Sequence, residues 1–298
     1  MNKQRRADLL LVMTTFFWGA SYYLTDICLA DLPPMTLNAF RFIVAFLVLG
    51  LIFWKHVVHI NRTTLWYSLI VGLALAGTYV AYNYGITRTS LSNAAFICAL
   101  QVIFAPLLGF LFFRQRIAQR PGWKLGAALV VCTVGMALLT LNGELRPASG
   151  DLICLITPLC YAVDLLITEK AVRDPRVDPL GLGVCQLAVV GAVALALALV
   201  LGEPVHLPTS GKTWAAALFL GIFCSGVAFV IQSVQQQYTT ASHVGLIFTL
   251  EPVFASMVAF VMTGEVLSLR GYIGAALMLL SLFIMEGDWS FLGRKKRV

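Results

Sequence analysis

Ten apolar runs of about twenty residues, joined by short polar connections, limit what this chain can fold into. They cover about 9–30, 36–55, 65–86, 91–113, 122–141, 150–171, 179–201, 213–236, 241–263 and 270–288. A run of that length, wound as an α-helix, matches the hydrocarbon thickness of a bilayer. Inside lipid a helix satisfies its own backbone polar groups, which is why it can cross. The chain therefore reads as an all-α polytopic membrane protein with ten transmembrane helices. Charged residues make up 12% of it and mean hydropathy is +0.86, whereas soluble domains carry about 25% charged residues. A soluble enzyme, a nucleic-acid reader and a disordered scaffold are all set aside on that ground.

The net charge of +7 follows the connections rather than a binding face. With the N-terminus inside, 16 of the 21 Lys and Arg fall on the inner side and four (Arg88, Arg146, Lys212, Arg270) on the outer. Arg41 lies within the second run. Excess positive charge marks cytoplasmic loops, so both termini are expected in the cytoplasm of a cell (inner) membrane protein. Five of the six tryptophans (Trp54, Trp66, Trp123, Trp214, Trp289) sit at run ends, as an interfacial belt does. The first run is too long, and lacks a convincing small-residue cleavage site, for a removed signal peptide. The seven cysteines all fall in apolar runs without metal-ligand spacing and read as small buried hydrophobes. No metal and no cofactor is expected.

The two halves resemble each other. Gly72 and Gly77 recur as Gly221 and Gly226, 149 residues on; Thr89, Ser92 and Phe104 recur as Thr239, Ser242 and Phe254, 150 on. Gln115 falls opposite Glu265 at the same offset, and Gly126 and Gly274 open the fifth run of each half. Five runs is an odd number, so the second copy enters the membrane from the opposite side. The expected architecture is a 5+5 inverted repeat, with one half in 1–145 and the other in 146–298. In secondary transporters such repeats hold the substrate near the midplane between them.

Trp18-Gly19, Arg41-Phe42, YNYGITRTSLSNAAFI from Tyr82 and TTASHVGLIFTLEPVFASMVAFVMTGE from Thr239 follow one another in order across the chain. With this order and spacing the sequence resembles the drug/metabolite transporter superfamily, and within it the EamA-type ten-helix members. Gln115 departs from the family's usual acidic residue, which Glu265 keeps in the second half. Pro106 lies deeper in its run than Pro252. The resemblance implies transport of amino acids, nucleoside-like metabolites, quaternary amines or drugs.

Ionisable and polar groups inside the runs are costly and mark cavities or partners. Glu251, before Pro252, reads either as a proton- or cation-binding group or as a structural glutamate at a helix break. Its repeat counterpart is Gln101. Asp164 reads as lining a cytoplasmic vestibule or, slightly favoured, as pairing with Lys170. Trp18, Tyr22 and Asp26 follow i, i+4, i+8 spacing and share one helix face. That face suits an organic cation, or else it is an aromatic packing stripe. Arg41 reads as meeting an anionic substrate group or Asp26 or, favoured, as snorkelling to the outer interface. Tyr79, Tyr82 and Asn83, answered in the second half by Gln232, are expected to line a cavity, with Tyr161 beside them. His56 and His59 read as a basic edge, His243 receives no role, and Gly122 with Gly126 offers a close-packing or dimerising pair.

These readings give a secondary transporter working by alternating access. An exporter of an amino acid, amine or similar zwitterionic or cationic solute is expected, with proton coupling through Glu251. Its partners would be a small-molecule substrate and the lipid bilayer, as monomer or homodimer, without nucleic acid. A membrane-embedded enzyme and a channel are the alternatives. No HExxH, GxSxG or P-loop supports the first, and sparse, central polar groups argue against the second.

Overall fold

A computed structural model describes residues 3–86, 88, 97–113, 122–140, 149–264 and 266–286. Thr89, Ser92, Gln115, Arg146, Glu265, Trp289 and the basic C-terminal tail lie outside the described residues, as does the side chain of Trp123. Among the described residues regular structure is helical throughout.

The first half contributes α1 (Lys3–Leu29), α2 (Pro34–Ile52), the short α3 (Trp54–Val58), α4 (Arg62–Ile86), α5 (Gln101–Phe113) and α6 (Gly122–Thr140). The second half begins with α7 (Ser149–Cys154), α8 (Ile156–Val172), α9 (Pro179–Val200) and α10 (Gly211–Phe219). A π-helical stretch, Leu220–Val227, joins α10 to α11 (Ala228–Gln235), and α12 (Ala241–Phe248), α13 (Glu251–Thr263) and α14 (Leu269–Glu286) follow. Six continuous or nearly continuous segments are long and apolar enough to cross a membrane. Three shorter apolar helices cover 97–111, 124–139 and 269–284.

Local chemistry sets the helix ends. Pro34 and Pro179 occupy the first turns of α2 and α9, where a missing N–H costs nothing and the fixed φ is already helical. Asp178, Ser210 and Thr240 cap α9, α10 and α12, each accepting hydrogen bonds from first-turn amides. α13 ends at Gly264, at φ +73°, in the left-handed region that lacks a steric penalty only for glycine. Leu51, Leu152, Val200, Val261 and Phe283 stand exposed on the outside. The buried core holds Leu11, Phe42, Leu165, Leu166, Phe229 and Phe248. An apolar exterior over an apolar core is the distribution lipid asks for.

The principal helix pairings among the described residues are kept when the halves are exchanged. α2 packs on α9, and α6 on α14; each of these pairs maps onto itself. The contacts of α4 with α8 and α9 are matched by those of the α10–α11 rod with α1 and α2, and α5 on α8 is matched by α13 on α1. The repeat glycines sit at these crossings. A Cβ on Gly72 would lie 2.6 Å from Val189 Cβ, and one on Gly221 would lie 3.0 Å from the Arg41 carbonyl. Gly126 behaves otherwise: a Cβ there meets nothing within 4 Å. The α6–α14 backbones instead approach at Gly135 and Gly274, where a Cβ on Gly135 would sit 2.7 Å from the Gly274 carbonyl.

The fourth and ninth runs break at equivalent points. Helix is interrupted at Leu100 before Gln101, and at Thr249–Leu250 before Glu251. Leu100 N–H donates to the Ile97 carbonyl, and Leu250 N–H to that of Ile247. Only the second break has a proline, Pro252, which removes a donor and crowds the carbonyl four residues back. The first forms without one, and Pro106 lies within continuous α5.

Candidate functional site

The two interrupted helices open on a cavity of about 380 Å³ between the halves. Trp18, Tyr22 and Asp26 reach it from α1, Asn38 and Arg41 from α2, and Tyr79, Tyr82 and Asn83 from α4. Gln101 and Glu251 stand on its wall at the first turns of α5 and α13, and Thr157 and Tyr161 enter from α8. At a helix start the partial positive charge of unpaired amides stabilises a carboxylate, and Tyr22 lines the same wall as Glu251.

Aromatic rings form the floor. The Trp18 ring lies 4.6 Å from Phe248, 5.2 Å from Phe229 and 6.1 Å from Tyr161 between centroids. Its indole N–H donates to the Cys224 carbonyl at 2.8 Å. The next residue, Ser225, accepts from Arg41 Nε at 2.7 Å, and the Cys224 thiol donates to the Phe17 carbonyl at 3.1 Å. One π-helical stretch thus fixes wall residues of both α1 and α2, a use of π geometry that recurs at functional sites.

Beneath the floor, the Tyr161 hydroxyl donates to Gln232 Oε1 at 3.0 Å, and Gln232 Nε2 donates to Asp164 Oδ2 at 3.0 Å. Asp164 is fully buried, with its other oxygen unpartnered. Further along the same direction Gln236 donates to the Leu165 carbonyl at 2.5 Å, and Glu169 accepts from the Ala241 amide at 2.8 Å and pairs with Arg173 at 2.5 Å. His243 meets Asp8 at 3.0 Å. Buried polar bonds across four elements close this end. At the opposite end a second cavity of about 420 Å³ shares Leu29, Pro34 and Asn83 with the first and reaches the connecting loops. There Asp31 accepts from both the amide and the hydroxyl of Thr209, which hold its carboxyl below the usual aspartate range.

Trp18, Tyr22, Tyr79, Tyr82, Asn83, Gln101, Tyr161, Glu251 and Asp26 therefore share one cavity, with Asp26 exposed at its mouth. Gln232 is behind the wall, not on it, because its amide is spent bridging Tyr161 and Asp164. Asp164 neither lines a vestibule nor pairs with Lys170: its bonded partner is Gln232, across the α8–α11 interface. Arg41 does not snorkel. It is 5% exposed, braced by Ser225, with its guanidinium carbon 5.3 Å from the ring centroids of both Phe42 and Tyr79. His56 is held by Asp178 at 2.6 Å. The Asp8–His243 pair joins residues 235 positions apart, which nothing in the sequence brings together.

Comparison with known proteins agrees with this arrangement. The profile of the EamA-like transporter family matches residues 5–141 and again 148–286. An uncharacterised transporter of Methanothermobacter thermautotrophicus is 26% identical over 92% of this chain and 84% of its own. One of Archaeoglobus fulgidus is 24% identical over 95% of this chain and 87% of its own. A crystal structure 19% identical in sequence shares the fold with a TM-score of 0.77, covering 95% of this chain and 96% of that one.

Proposed function

We propose, on the premise that this chain belongs to the EamA-like transporter family and is a multi-pass membrane transporter of small molecules, that the cavity between its halves is the transport site. The halves, 1–145 and 146–298, would cross the membrane five times each in opposite senses. The carrying observation is a cavity walled by both halves that shares Leu29, Pro34 and Asn83 with a second cavity toward one end of the bundle, while among the described residues buried polar bonds cross the other end. Alternating access needs such a one-sided state. A channel would need a path through both ends.

With both termini in the cytoplasm, as the positive charge of the connections implies, the open end faces outward and the Asp8–His243 end faces the cytoplasm. Rocking one half against the other would exchange the two ends around the fixed site. Aromatic walls with Glu251 and Asp26 suit an amino acid, an amine or a similar zwitterionic or cationic solute. Export is the direction proposed, with Glu251 as the group that exchanges a proton against solute.

The test is counterflow in liposomes with amino acids, amines and organic cations, comparing the parent with Trp18→Ala. Exchange in the parent, lost in a folded Trp18→Ala variant, supports the reading. Exchange that persists in the variant moves the site elsewhere.

A further inference from the structure

Arg41 is the one basic side chain on the cavity wall among the described residues. Its Nε is committed to Ser225 Oγ. Among the described residues its two terminal nitrogens have no hydrogen-bond partner, and both belong to a side chain that lines the cavity. The ion pairs found among the described residues join other groups, so no described carboxylate pairs with this guanidinium. Asp26 and Glu251 share the wall without contacting it.

A buried cation without a counter-ion is costly to hold. Here two aromatic faces and one hydroxyl stabilise it partly, and the brace on Nε fixes the plane of the fork. Two free, coplanar N–H-bearing nitrogens match the two oxygens of a carboxylate. Glu251 brings a carboxyl group to the same wall. Tyr79 stands within electrostatic reach of both Arg41 and Glu251. The cavity thus presents a guanidinium and a carboxyl group on one wall, with Tyr79 beside them.

We propose that Arg41 is the carboxylate-binding residue of this cavity, so that the solute is a zwitterion carrying a carboxylate as well as an amino group. This deepens the proposed function and rests on the cavity being the transport site. Simple amines and quaternary cations, which the aromatic wall alone would accept, are then poor ligands.

The experiment uses the detergent-purified full chain and three matched probes: L-phenylalanine, L-phenylalaninamide and 2-phenylethylamine. Binding is read by thermal stabilisation against probe concentration, and exchange by counterflow in liposomes. The acid is expected to bind the parent at least about 30-fold more tightly than the amide or the amine, the scale for leaving one member of a buried charge pair unmatched. Arg41→Gln should bring the three probes level. Arg41→Lys, which keeps the charge without the fork, should fall between. Should Arg41→Gln not fold, Ser225→Ala frees the guanidinium from its brace and should narrow the preference for the acid.

Equal binding of all three probes by the parent, each weakened by Trp18→Ala, would overturn the Arg41 subsite and leave the cavity reading standing. Silence from all three in both binding and counterflow overturns the cavity reading and the subsite with it.

Discussion

Replacing Trp18 with Phe isolates the bond that ties the cavity floor to the π-helical stretch. Phe keeps a ring against Phe248, Phe229 and Tyr161 but removes the N–H that reaches the Cys224 carbonyl at 2.8 Å. The carbonyl loses that donor in a site where Trp18 is only 6% exposed. A buried acceptor left without its donor costs about 1–3 kcal/mol. Full truncation to Ala would cost about 3–5 kcal/mol through the void it leaves. Unfolding entropy of about 2 cal/mol/K per residue, taken over 298 residues, converts the Phe penalty to a fall of about 2–5 °C in thermal midpoint. The assay is thermal unfolding in detergent, with Trp54→Phe as control. Trp54 is 52% exposed, and its replacement should stay within about 0.5 kcal/mol. Combining Trp18→Phe with Ser225→Ala should be non-additive, because both act on the same stretch. A Trp18→Phe midpoint equal to that of the Trp54→Phe control would refute the reasoning.

Gly274→Ala would press a methyl against the Gly135 carbonyl and within 2.7 Å of the Leu139 amide; both are backbone, so α6 and α14 must separate, at about 1–3 kcal/mol, read as a lowered thermal midpoint, whereas Gly126→Ala should be neutral or slightly stabilising. The Asp31 carboxyl is held below its ordinary pKa by Thr209, so its contribution is complete above the ordinary aspartate value and is lost as pH falls through the lower, folded value. Hydrogen exchange in the 201–210 loop, corrected for the intrinsic effect of pH, should therefore rise in acid in the parent, and Asp31→Asn should flatten that dependence. Flux in the parent should follow an imposed pH gradient and be gradient-insensitive or absent in Glu251→Gln; unchanged coupling in that variant would remove Glu251 from the proton path.

The all-helical, repeated architecture was legible because lipid imposes a simple code: about twenty apolar residues per crossing and basic connections. The 149-residue offset of Gly72 and Gly77 to Gly221 and Gly226 already marked the symmetric crossings. The spacing of Trp18, Tyr22 and Asp26 likewise put three residues on one wall. What the sequence could not disclose is the partner of a buried polar group. Arg41 near the end of an apolar run has two outcomes, snorkelling or burial, and Ser225, which decides between them, lies 184 residues away. Asp164 has a basic residue six positions on, yet its bonded partner is Gln232, from a helix that packs against it only in the folded bundle. The break at Leu100 was invisible for another reason: it lacks the proline that announces its counterpart at Glu251. Gly126, read as half of a close-packing or dimerising pair, meets nothing within 4 Å in its own chain, whereas α6 and α14 meet at Gly135 and Gly274.

The central claim is that solute crosses through the cavity between the halves. Counterflow of L-phenylalanine into liposomes, measured side by side for the parent, Trp18→Ala and the exposed control Trp54→Ala, tests it most directly. The account predicts exchange in the parent and the control and its loss in folded Trp18→Ala protein. Equal exchange in all three would contradict it.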